Sequence, residues 1–336
     1  KAFAKDVMAS AGVPTALAHV CTTVAEVALA LDALGAPHVV KEDGLAAGKG
    51  VVVTDDRETA LAHAEACLSR PGGQVVVEEY LDGPEVSVFC ICDGSTVRAL
   101  SPAQDFKRIF DGDHGPNTGG MGAYSPLPWA PAHLADQVIE VIAQPVIDEM
   151  RRRGTPFVGT LYVGLAMTSR GPRVVEFNVR FGDPDGQVSL ARLLTPLGGL
   201  LYAAATGRLE DMDDLHHRPE AAVVLVAASA GYPASSRSGD VISGVPGVSA
   251  VSGVSAVSGV EGAVGPDAVV LHAGTALDTE GRLVTAGGRV LNVLATGSDL
   301  AEARDTAYRV LGDVSFDGMQ YRRDIALAAA RGEIHL

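Results

Sequence analysis

The stretch VVEFNVRFGD, residues 174–183, places three polar side chains at alternate positions of an otherwise apolar segment. Strand side chains alternate between the two faces of a sheet, so Glu176, Asn178 and Arg180 are expected to share one face. Burying an acid and a base is costly unless both find partners, so the sequence predicts a binding partner for this polar face. The apolar residues at the intervening positions, expected to face a core, are Val175, Phe177, Val179 and Phe181.

The chemistry of the polar face favours a metal-bound nucleotide. Magnesium prefers oxygen ligands and keeps positions for water and substrate phosphates, and Glu176 and Asn178 supply two such oxygens. Arg180 adds a cation for a phosphate or a carboxylate. An internal ion pair between Glu176 and Arg180 is the alternative, but it leaves Asn178 and the following FGDPDGQ segment without a role.

Composition limits the classes of function. The 336 residues carry a formal net charge of −15, whereas nucleic-acid binding normally requires a basic face, so no nucleic-acid partner is expected. No apolar run approaches the roughly 20 residues of a membrane span, so no membrane partner is expected either. The four cysteines form no CxxC pair and are interpreted as buried, reduced thiols, which fits a cytoplasmic location.

The segment VVKEDGLAAGKGVVV, residues 39–53, is a candidate phosphate-covering flap. Glycines let a backbone approach phosphates closely, and a lysine supplies compensating charge. The spacing from Gly44 to Gly48 and Lys49, with Gly50 following, does not match a Walker A loop. A flexible β-hairpin tip is the alternative structure for the same residues.

The segment VVVEEYLDGPEVSV, residues 75–88, is a candidate nucleoside site. Where a strand ends, its backbone can bind the edge of an adenine, and a nearby acid can bind ribose hydroxyls. Two solvent-facing acids, Glu78 and Glu79, at a sheet edge are the alternative.

Two further regions complete the organisation of the chain. Residues 101–128 show little periodicity but lack low-complexity bias, and long irregular segments of this kind are often functional. From residue 219, three apolar strands and a helix predict a separate α+β domain. Within it, the hexad GVSAVS occurs twice in residues 247–258 and is interpreted as an expanded surface loop.

Several segments together resemble the ATP-grasp ligases and, more narrowly, the phosphoribosylamine–glycine ligase family. The matching segments include KAFAKDVMASAGVPTA, VVKEDGLAAGKGVVV, AQDFKRIFDGDHGPNTGGMGAYSP, GTLYVGLAM, VVEFNVRFGDP and GGRVLNV. The resemblance implies an α/β (α+β) protein: an ATP-grasp fold with lobes at residues 1–83 and 84–215, followed by a small C-terminal α+β domain at 216–336. A low-complexity loop at 244–265 is expected within that domain.

The resemblance also implies roles for individual residues. Lys1 and Lys41 would hold the nucleotide phosphates, and Glu85 the ribose. Glu176 and Asn178 would bind magnesium or manganese. The implied flap residues are Gly44, Gly48, Lys49 and Gly50, and the implied adenine contacts are Glu78, Tyr80 and Leu81. The residues implied to line the site where the substrates react are Lys107, Asn117, Thr118, Gly119, Gly120, Met121, Gly122, Arg180 and Asp183, with catalytic roles for Lys107, Arg180 and Asp183.

The activity implied is the ATP-dependent joining of glycine to 5-phosphoribosylamine through glycyl phosphate, by a monomer. Members of the family carry a Rossmann-like domain before the residue that corresponds to Lys1, and this domain helps to bind the phosphoribosylamine, so we expect reduced activity from residues 1–336 alone. The sequence GDPDGQ departs from the family's usual Gly-Asp-Pro-Glu-Thr-Gln at Asp185 and Gly186.

Two other hypotheses remain open from the sequence. A sister ATP-grasp carboxylate–amine ligase would keep the nucleotide residues and change residues 104–124. A nucleotide-binding fragment or regulatory module would bind ATP without catalysis. Turnover of ATP with glycine alone, and then with phosphoribosylamine, distinguishes these hypotheses.

Overall fold

A computed structural model describes residues 1–44, 50–245, 262–265 and 267–336. The expected flap residues Gly48 and Lys49 lie outside the described residues, as does the hexad repeat at 247–258. In the described part of the chain, no helix has the length and apolar character that a bilayer span requires. The predicted α/β (α+β) class is confirmed, because sheets and helices alternate along the chain.

The N-terminal sheet is built from four short, valine-rich strands, as expected from the β propensity of branched side chains. All neighbouring strands are antiparallel. Two helices, Val24–Leu34 and Arg57–Leu68, cover one face and share a buried core with the sheet. Thr23 begins the first helix with a capping box, and Asp56 caps the second. The strands, in spatial order, are Ala18–Cys21, Val75–Glu78, His38–Glu42 and Val51–Thr54.

The hairpin sheet contains the opening sequence. Its register shifts between Gly164 and Leu165, so the strand that carries Glu176 bulges near its middle. This strand ends at Asn178, and the expectation that Val179 faces a core is wrong, because its side chain is 71% exposed beyond the strand end. The strands of the hairpin sheet, in spatial order, are Gly171–Asn178, Val158–Thr168, Glu85–Asp93 and Val97–Ala99.

The six-stranded sheet joins strands from the middle and the end of the chain. Helix Leu300–Asp313, capped by Asp299, packs against it with five buried residues. Asp105 and Asn292, 187 positions apart in the sequence, lie on strands of this one sheet that are separated by two other strands. The domain bounds 84–215 and 216–336 stay a prediction. The strands, in spatial order, are Gly262–Gly265, Ala268–His272, Arg289–Gly297, Ala221–Ala228, Gly122–Ser125 and Gln104–Asp105.

The remaining elements surround these sheets. The segment from Leu134 to Arg152 is helical throughout, with a π-helical turn in its interior. Two short ribbons pair Arg108–Phe110 with His114–Asn117 and Thr275–Leu277 with Leu283–Thr285. The other helices are Ala2–Ala11, Leu134–Val138, Ile139–Ala143 (π), Gln144–Arg152, Asp185–Ala191, Leu197–Ala205 and Leu327–Ala330, with 3-10 turns at Asp111–Asp113 and Leu209–Asp211.

Candidate functional site

Lys5, Lys41 and Glu78 form a buried group that we call the lysine cluster. The ammonium groups of Lys5 and Lys41 each lie 3.1 Å from the same carboxylate oxygen of Glu78. Lys41 also donates to the carbonyl of Val175, 3.0 Å away, on the strand that carries Glu176. Burial lowers the pKa of Lys5 although Glu78 opposes this effect. With two ammonium groups and one carboxylate, the cluster carries a net positive charge where the N-terminal and hairpin sheets meet.

The side chain of Lys1 lies at the base of the expected flap. Its ammonium group donates to the carbonyl oxygens of Glu42 and Gly44, at 2.6 and 2.9 Å. The carboxylate of Glu42 is paired with Arg70. Gly44 has a φ of +148°, a backbone conformation that other residues rarely adopt. Lys1 is therefore held where the chain leaves the sheet and enters the flap segment.

The connection after strand Val75–Glu78 is fixed by backbone contacts, and its aromatic side chain is exposed. Glu79 accepts a hydrogen bond from the backbone of Leu17 at 3.1 Å and lies 3.1 Å from Arg170. Tyr80 is 49% exposed. The Glu78 carboxylate is turned toward the lysine cluster, so only its backbone is available for the adenine contact that the sequence predicts.

Glu176 and Asn178 share one face of their strand, as expected. The Asn178 amide donates to the Glu176 carboxylate over 3.3 Å, and both residues are half-buried. Among the described residues, no group of three or more histidines, cysteines or acids could hold a metal ion by itself. The pair fits an ion that takes its remaining ligands from water and phosphate oxygens, as magnesium does.

A second charged region surrounds Asp105 on the six-stranded sheet. Burial, together with the neighbouring Asp185 carboxylate, raises the pKa of Asp105 well above its usual range. Lys107 is paired with the carboxylate of Glu85. The pKa of Lys107 is raised well above its usual value. Burial alone would lower it, but the charges of Glu85, Tyr162 and Asp105 have the larger effect. The Oδ1 atom of Asp105 is buried and finds no hydrogen-bond partner among the described residues.

Arg289 and Asn292 reach the same region from the C-terminal part of the chain. Arg289 donates to the carbonyl oxygens of Gly119 and Asp183, at 2.7 and 2.6 Å, and lies 3.2 Å from the Asp183 carboxylate. The amides of Gln187 and Asn292 donate to the other oxygen of that carboxylate, at 2.9 and 3.4 Å. Within the described ranges, the Oε1 atom of Gln187 and the Oδ1 atom of Asn292 are buried without a partner. We call Asp105, Asp183, Gln187, Arg289 and Asn292 the acceptor site.

The NTGGMG run, residues 117–122, lies directly against the acceptor site. The backbone of Thr118 donates to the carbonyl of Lys107 over 2.7 Å. A Cβ atom on Gly119 would lie 2.9 Å from the guanidinium carbon of Arg289. Gly120 has a φ of +109°, and a Cβ there would lie 2.6 Å from Oδ1 of Asp105. Gly120 is therefore required by its backbone conformation and by close approach, whereas a side chain at Gly119 would meet only the movable end of Arg289.

Comparison with known proteins identifies the family. The domain family described as "Phosphoribosylglycinamide synthetase, ATP-grasp (A) domain" matches residues 1–186, and "Phosphoribosylglycinamide synthetase, C domain" matches residues 222–328. The chain belongs to the phosphoribosylamine–glycine ligase family. The phosphoribosylamine–glycine ligase of Streptomyces coelicolor is 62% identical over 98% of this chain and 75% of its own length. That of Mycobacterium leprae is 52% identical over 100% of this chain and 76% of its own length.

Solved structures agree with this assignment. The crystal structure of phosphoribosylamine–glycine ligase from Thermotoga maritima has a TM-score of 0.82 and 32% identity, over 97% of this chain and 78% of that one. Biotin carboxylase from Campylobacter jejuni has a TM-score of 0.67 at 13% identity, over 94% of this chain and 66% of that one, which shows a shared fold alone. The ATP-grasp fold predicted from the sequence is confirmed.

The structure brings together some of the residues that the family resemblance singled out. Lys41 lies beside Glu78, and Asp183 lies beside the NTGGMG run. Lys107 and Glu85, expected in different subsites, form one ion pair. Arg180 is exposed beyond the strand, and its guanidinium donates to the carbonyl of Phe181 over 2.8 Å. The functional roles of these residues stay predictions.

Sequence reasoning missed functional candidates that come from distant segments. Lys5 was hidden in an ordinary amphipathic helix. Asp105 and Arg289 occur in segments that resemble the ligase family, but no periodic pattern marked them. Asn292 had a usable signal, because it is a polar residue in the apolar strand VLNVLA, the same pattern that identified Asn178.

Proposed function

We propose that the chain catalyses the ATP-dependent ligation of glycine to 5-phosphoribosylamine, giving glycinamide ribonucleotide, ADP and phosphate. Sequence identity of 62% to a phosphoribosylamine–glycine ligase supports the substrates. The structural observation that carries the proposal is the arrangement of a net positive lysine cluster beside the Glu176–Asn178 pair, with a separate site rich in buried acceptor oxygens.

The nucleotide is assigned to the lysine cluster and its surroundings. Lys1 and Lys41, assisted by Lys5, would bind the phosphates because they offer ammonium groups at the junction of the two sheets. Glu176 and Asn178 would hold magnesium or manganese, which neutralises phosphate charge when bound. The proposed flap and nucleoside contacts are Gly44, Gly48, Lys49, Gly50, the backbone of Glu78, Tyr80, Leu81 and Glu85.

Glycine is assigned to the acceptor site. A primary ammonium group has three N–H donors, and the site contains three buried oxygens that lack donors among the described residues, on Asp105, Gln187 and Asn292. Unpaired buried acceptors are costly, so a ligand that donates to them gains affinity. The carboxylate of glycine would then be directed toward the nucleotide by cations such as Lys107 and Arg180.

The reaction proceeds in two steps in this arrangement. A carboxylate oxygen of glycine attacks the γ-phosphorus of ATP, the bond to the β-phosphate oxygen breaks, and ADP leaves. The amine of phosphoribosylamine attacks the carbonyl carbon of glycyl phosphate, phosphate leaves with the C–O bond electrons, and the amine loses a proton. Positioning and charge neutralisation are the main contributions of the protein, because anions must approach each other.

The cellular setting follows from the same proposal. We propose a cytoplasmic monomer that acts on small molecules, with no nucleic-acid or membrane partner. The net charge of −15 supports the absence of nucleic-acid binding.

Positional isotope exchange tests the proposal on the full chain. ATP labelled with oxygen-18 in the β–γ bridge is incubated with glycine and magnesium, and scrambling of the label reports reversible glycyl phosphate formation. We expect scrambling with glycine, and amide product once phosphoribosylamine is added. ATP binding without glycine-dependent scrambling would favour a nucleotide-binding module, and scrambling with another carboxylate in preference to glycine would favour a sister ligase.

A further inference from the structure

Arg322 is a deeply buried charged residue that belongs to neither the lysine cluster nor the acceptor site. Its side chain is 2% exposed, which makes it the largest fully buried side chain in the described part of the chain. An arginine is buried at acceptable cost only when its donors are satisfied by fixed acceptors. The N–H donors of Arg322 are satisfied by Asp324 on its own segment and by the ribbon that pairs Arg108–Phe110 with His114–Asn117.

The planar guanidinium of Arg322 forms hydrogen bonds along its edges and lies over an aromatic ring. Two of its nitrogens bind the carboxylate of Asp324, at 2.8 and 2.7 Å. A third lies 2.6 Å from Asp113 and 3.2 Å from the carbonyl of Arg108. The guanidinium carbon lies 4.8 Å from the centre of the Phe106 ring. Lysine offers one ammonium group and no plane, so it cannot reproduce this set of contacts.

Backbone contacts strengthen the attachment at the ribbon's tip. The amide of Gly112 donates to Asp324 over 2.8 Å, and the amide of Arg323 donates to Asp111 over 2.7 Å. Asp113 has a φ of 59°, the left-handed region, so the tip adopts one defined turn. Residues 322–324 therefore bind the tip of the ribbon from both sides.

These contacts lead directly to Lys107. Its two sequence neighbours, Phe106 and Arg108, are both among the residues that Arg322 contacts. The carbonyl of Lys107 accepts from Thr118, at the far end of the ribbon. The backbone of Lys107 is thus held by this hydrogen bond and by the contacts of its two neighbours, while its ammonium group pairs with Glu85.

We propose that Arg322 is a positioning residue, which clamps the ribbon at residues 106–117 so that the Lys107 ammonium group stays against Glu85 and faces the substrate site. Only the catalytic consequence rests on the proposed function; the control of Lys107 position stands independently of it.

Lysine acylation measured by mass spectrometry tests the position of Lys107 directly. In Arg322→Lys, we expect acylation of Lys107 relative to Lys41 in the same molecule to rise at least about threefold, because loosening the pair with Glu85 leaves more unprotonated amine. Asp113→Asn removes only an exposed partner, and asparagine tolerates a positive φ, so this variant folds and shows a smaller rise in the same direction.

Arg304→Lys is the matched control. Arg304 donates to the carbonyls of Arg323 and Ile325, and none of its hydrogen bonds in the described ranges reaches residues 106–113. We expect unchanged relative acylation of Lys107 in this variant. An equal rise in Arg304→Lys and Arg322→Lys, or no rise in either Arg322→Lys or Asp113→Asn, would overturn the proposal.

Kinetics supply the second readout. In Arg322→Lys we expect kcat/KM for glycine-dependent isotope exchange to fall about tenfold while the Kd for ATP is unchanged, because only the Lys107 side of the site is displaced. A changed ATP affinity with normal glycine kinetics would contradict the positioning role. If Lys107 acylation rises in Arg322→Lys but the unmodified chain shows no exchange with glycine, the proposed function is wrong, whereas the positioning of Lys107 by Arg322 is supported.

Discussion

The lysine cluster and the acceptor site both bury charge, but they balance it in opposite ways. In the lysine cluster, one carboxylate on Glu78 meets two ammonium groups at 3.1 Å each. In the acceptor site, Asp105 faces Asp185, and its Oδ1 atom has no donor in the described part of the structure. Arg289 is directed to Asp183 and the carbonyl of Gly119.

The difference indicates which ligand each region is suited to bind. A surplus of buried cations lowers the free energy of a bound polyphosphate. The lysine cluster has this surplus before any ligand is present. A surplus of buried acceptors instead favours a ligand that donates hydrogen bonds, such as an ammonium group. A region suited to an anion and a region suited to a cation match the phosphates of ATP and the ammonium group of glycine that we propose they bind.

The largest effect is expected when the lysine cluster loses a cation. Lys41→Met should lower ATP turnover about 300-fold, because a donor to the phosphates is removed, with a matching loss of ATP affinity in calorimetry. It should also reduce the free energy of unfolding, by less than about 3 kcal/mol, because Glu78 keeps its pair with Lys5.

An exposed ion pair provides the control for that variant. Arg57→Met breaks the pair with Asp32, whose atoms lie 2.9 Å apart at the surface. We expect a change in unfolding free energy below about 1 kcal/mol and normal ATP affinity. Equal effects of Lys41→Met and Arg57→Met on ATP binding would show that the lysine cluster is not part of the nucleotide site.

The next effect concerns Glu176 and Asn178, on the strand whose Val175 carbonyl accepts from Lys41. Glu176→Gln should lower magnesium-dependent ATP turnover about 100-fold while the thermal unfolding temperature changes little, because the amide keeps the shape but not the charge. Titration of magnesium should show a weaker apparent metal affinity. Unchanged turnover and metal dependence would show that Glu176 is not a metal ligand.

In the acceptor site, replacing Asp105 should lower catalytic activity and raise stability at high pH. Asp105→Asn should lower kcat/KM for glycine about 30-fold, with ATP affinity unchanged. The folded-state pKa of Asp105 is raised by burial and by Asp185, so at higher pH the unfolded chain ionises first and the folded state loses stability.

Denaturation at several pH values checks the sign of this effect. Relative to the unmodified chain, Asp105→Asn should gain stability as the pH rises above about 4, the usual pKa of an unfolded aspartate. Groups that do not interact with Asp105 cancel in the difference between the two proteins. A variant that becomes relatively less stable as the pH rises would show that Asp105 is stabilised as a carboxylate in the folded protein.

The smallest effect compares two glycines with positive φ. Gly154→Ala meets nothing within 4 Å, so only backbone strain of about 1 kcal/mol is expected. Gly120→Ala adds a clash with Pro184, 2.4 Å from the new Cβ, and with Asp105. The affinity for the substrate glycine, measured by the dependence of isotope exchange on glycine concentration, should fall only in Gly120→Ala. Equal affinities in both variants would show that the NTGGMG run is not part of the substrate site.

Local patterns predicted much of this structure from the sequence. The strands in residues 39–53 and 75–88 and the shared face of Glu176 and Asn178 follow from propensity and period, which depend on neighbouring residues. The exposure of Val179 was not predictable, because a bulge and the end of the strand are set by pairing with a partner strand. Arg289 and Lys5 reach their sites through contacts between distant segments, which no local period reports.

The preference for glycine over glycolate in positional isotope exchange tests the central claim most directly. Glycolate carries a hydroxyl where glycine carries an ammonium group and has a carboxylate of the same reach. If the acceptor site binds the ammonium group, the unmodified chain should support exchange with glycine at least about 30 times better than with glycolate, and Asp105→Asn should reduce that preference to about threefold. Equal exchange with glycine and glycolate in the unmodified chain would contradict the assignment of the acceptor site.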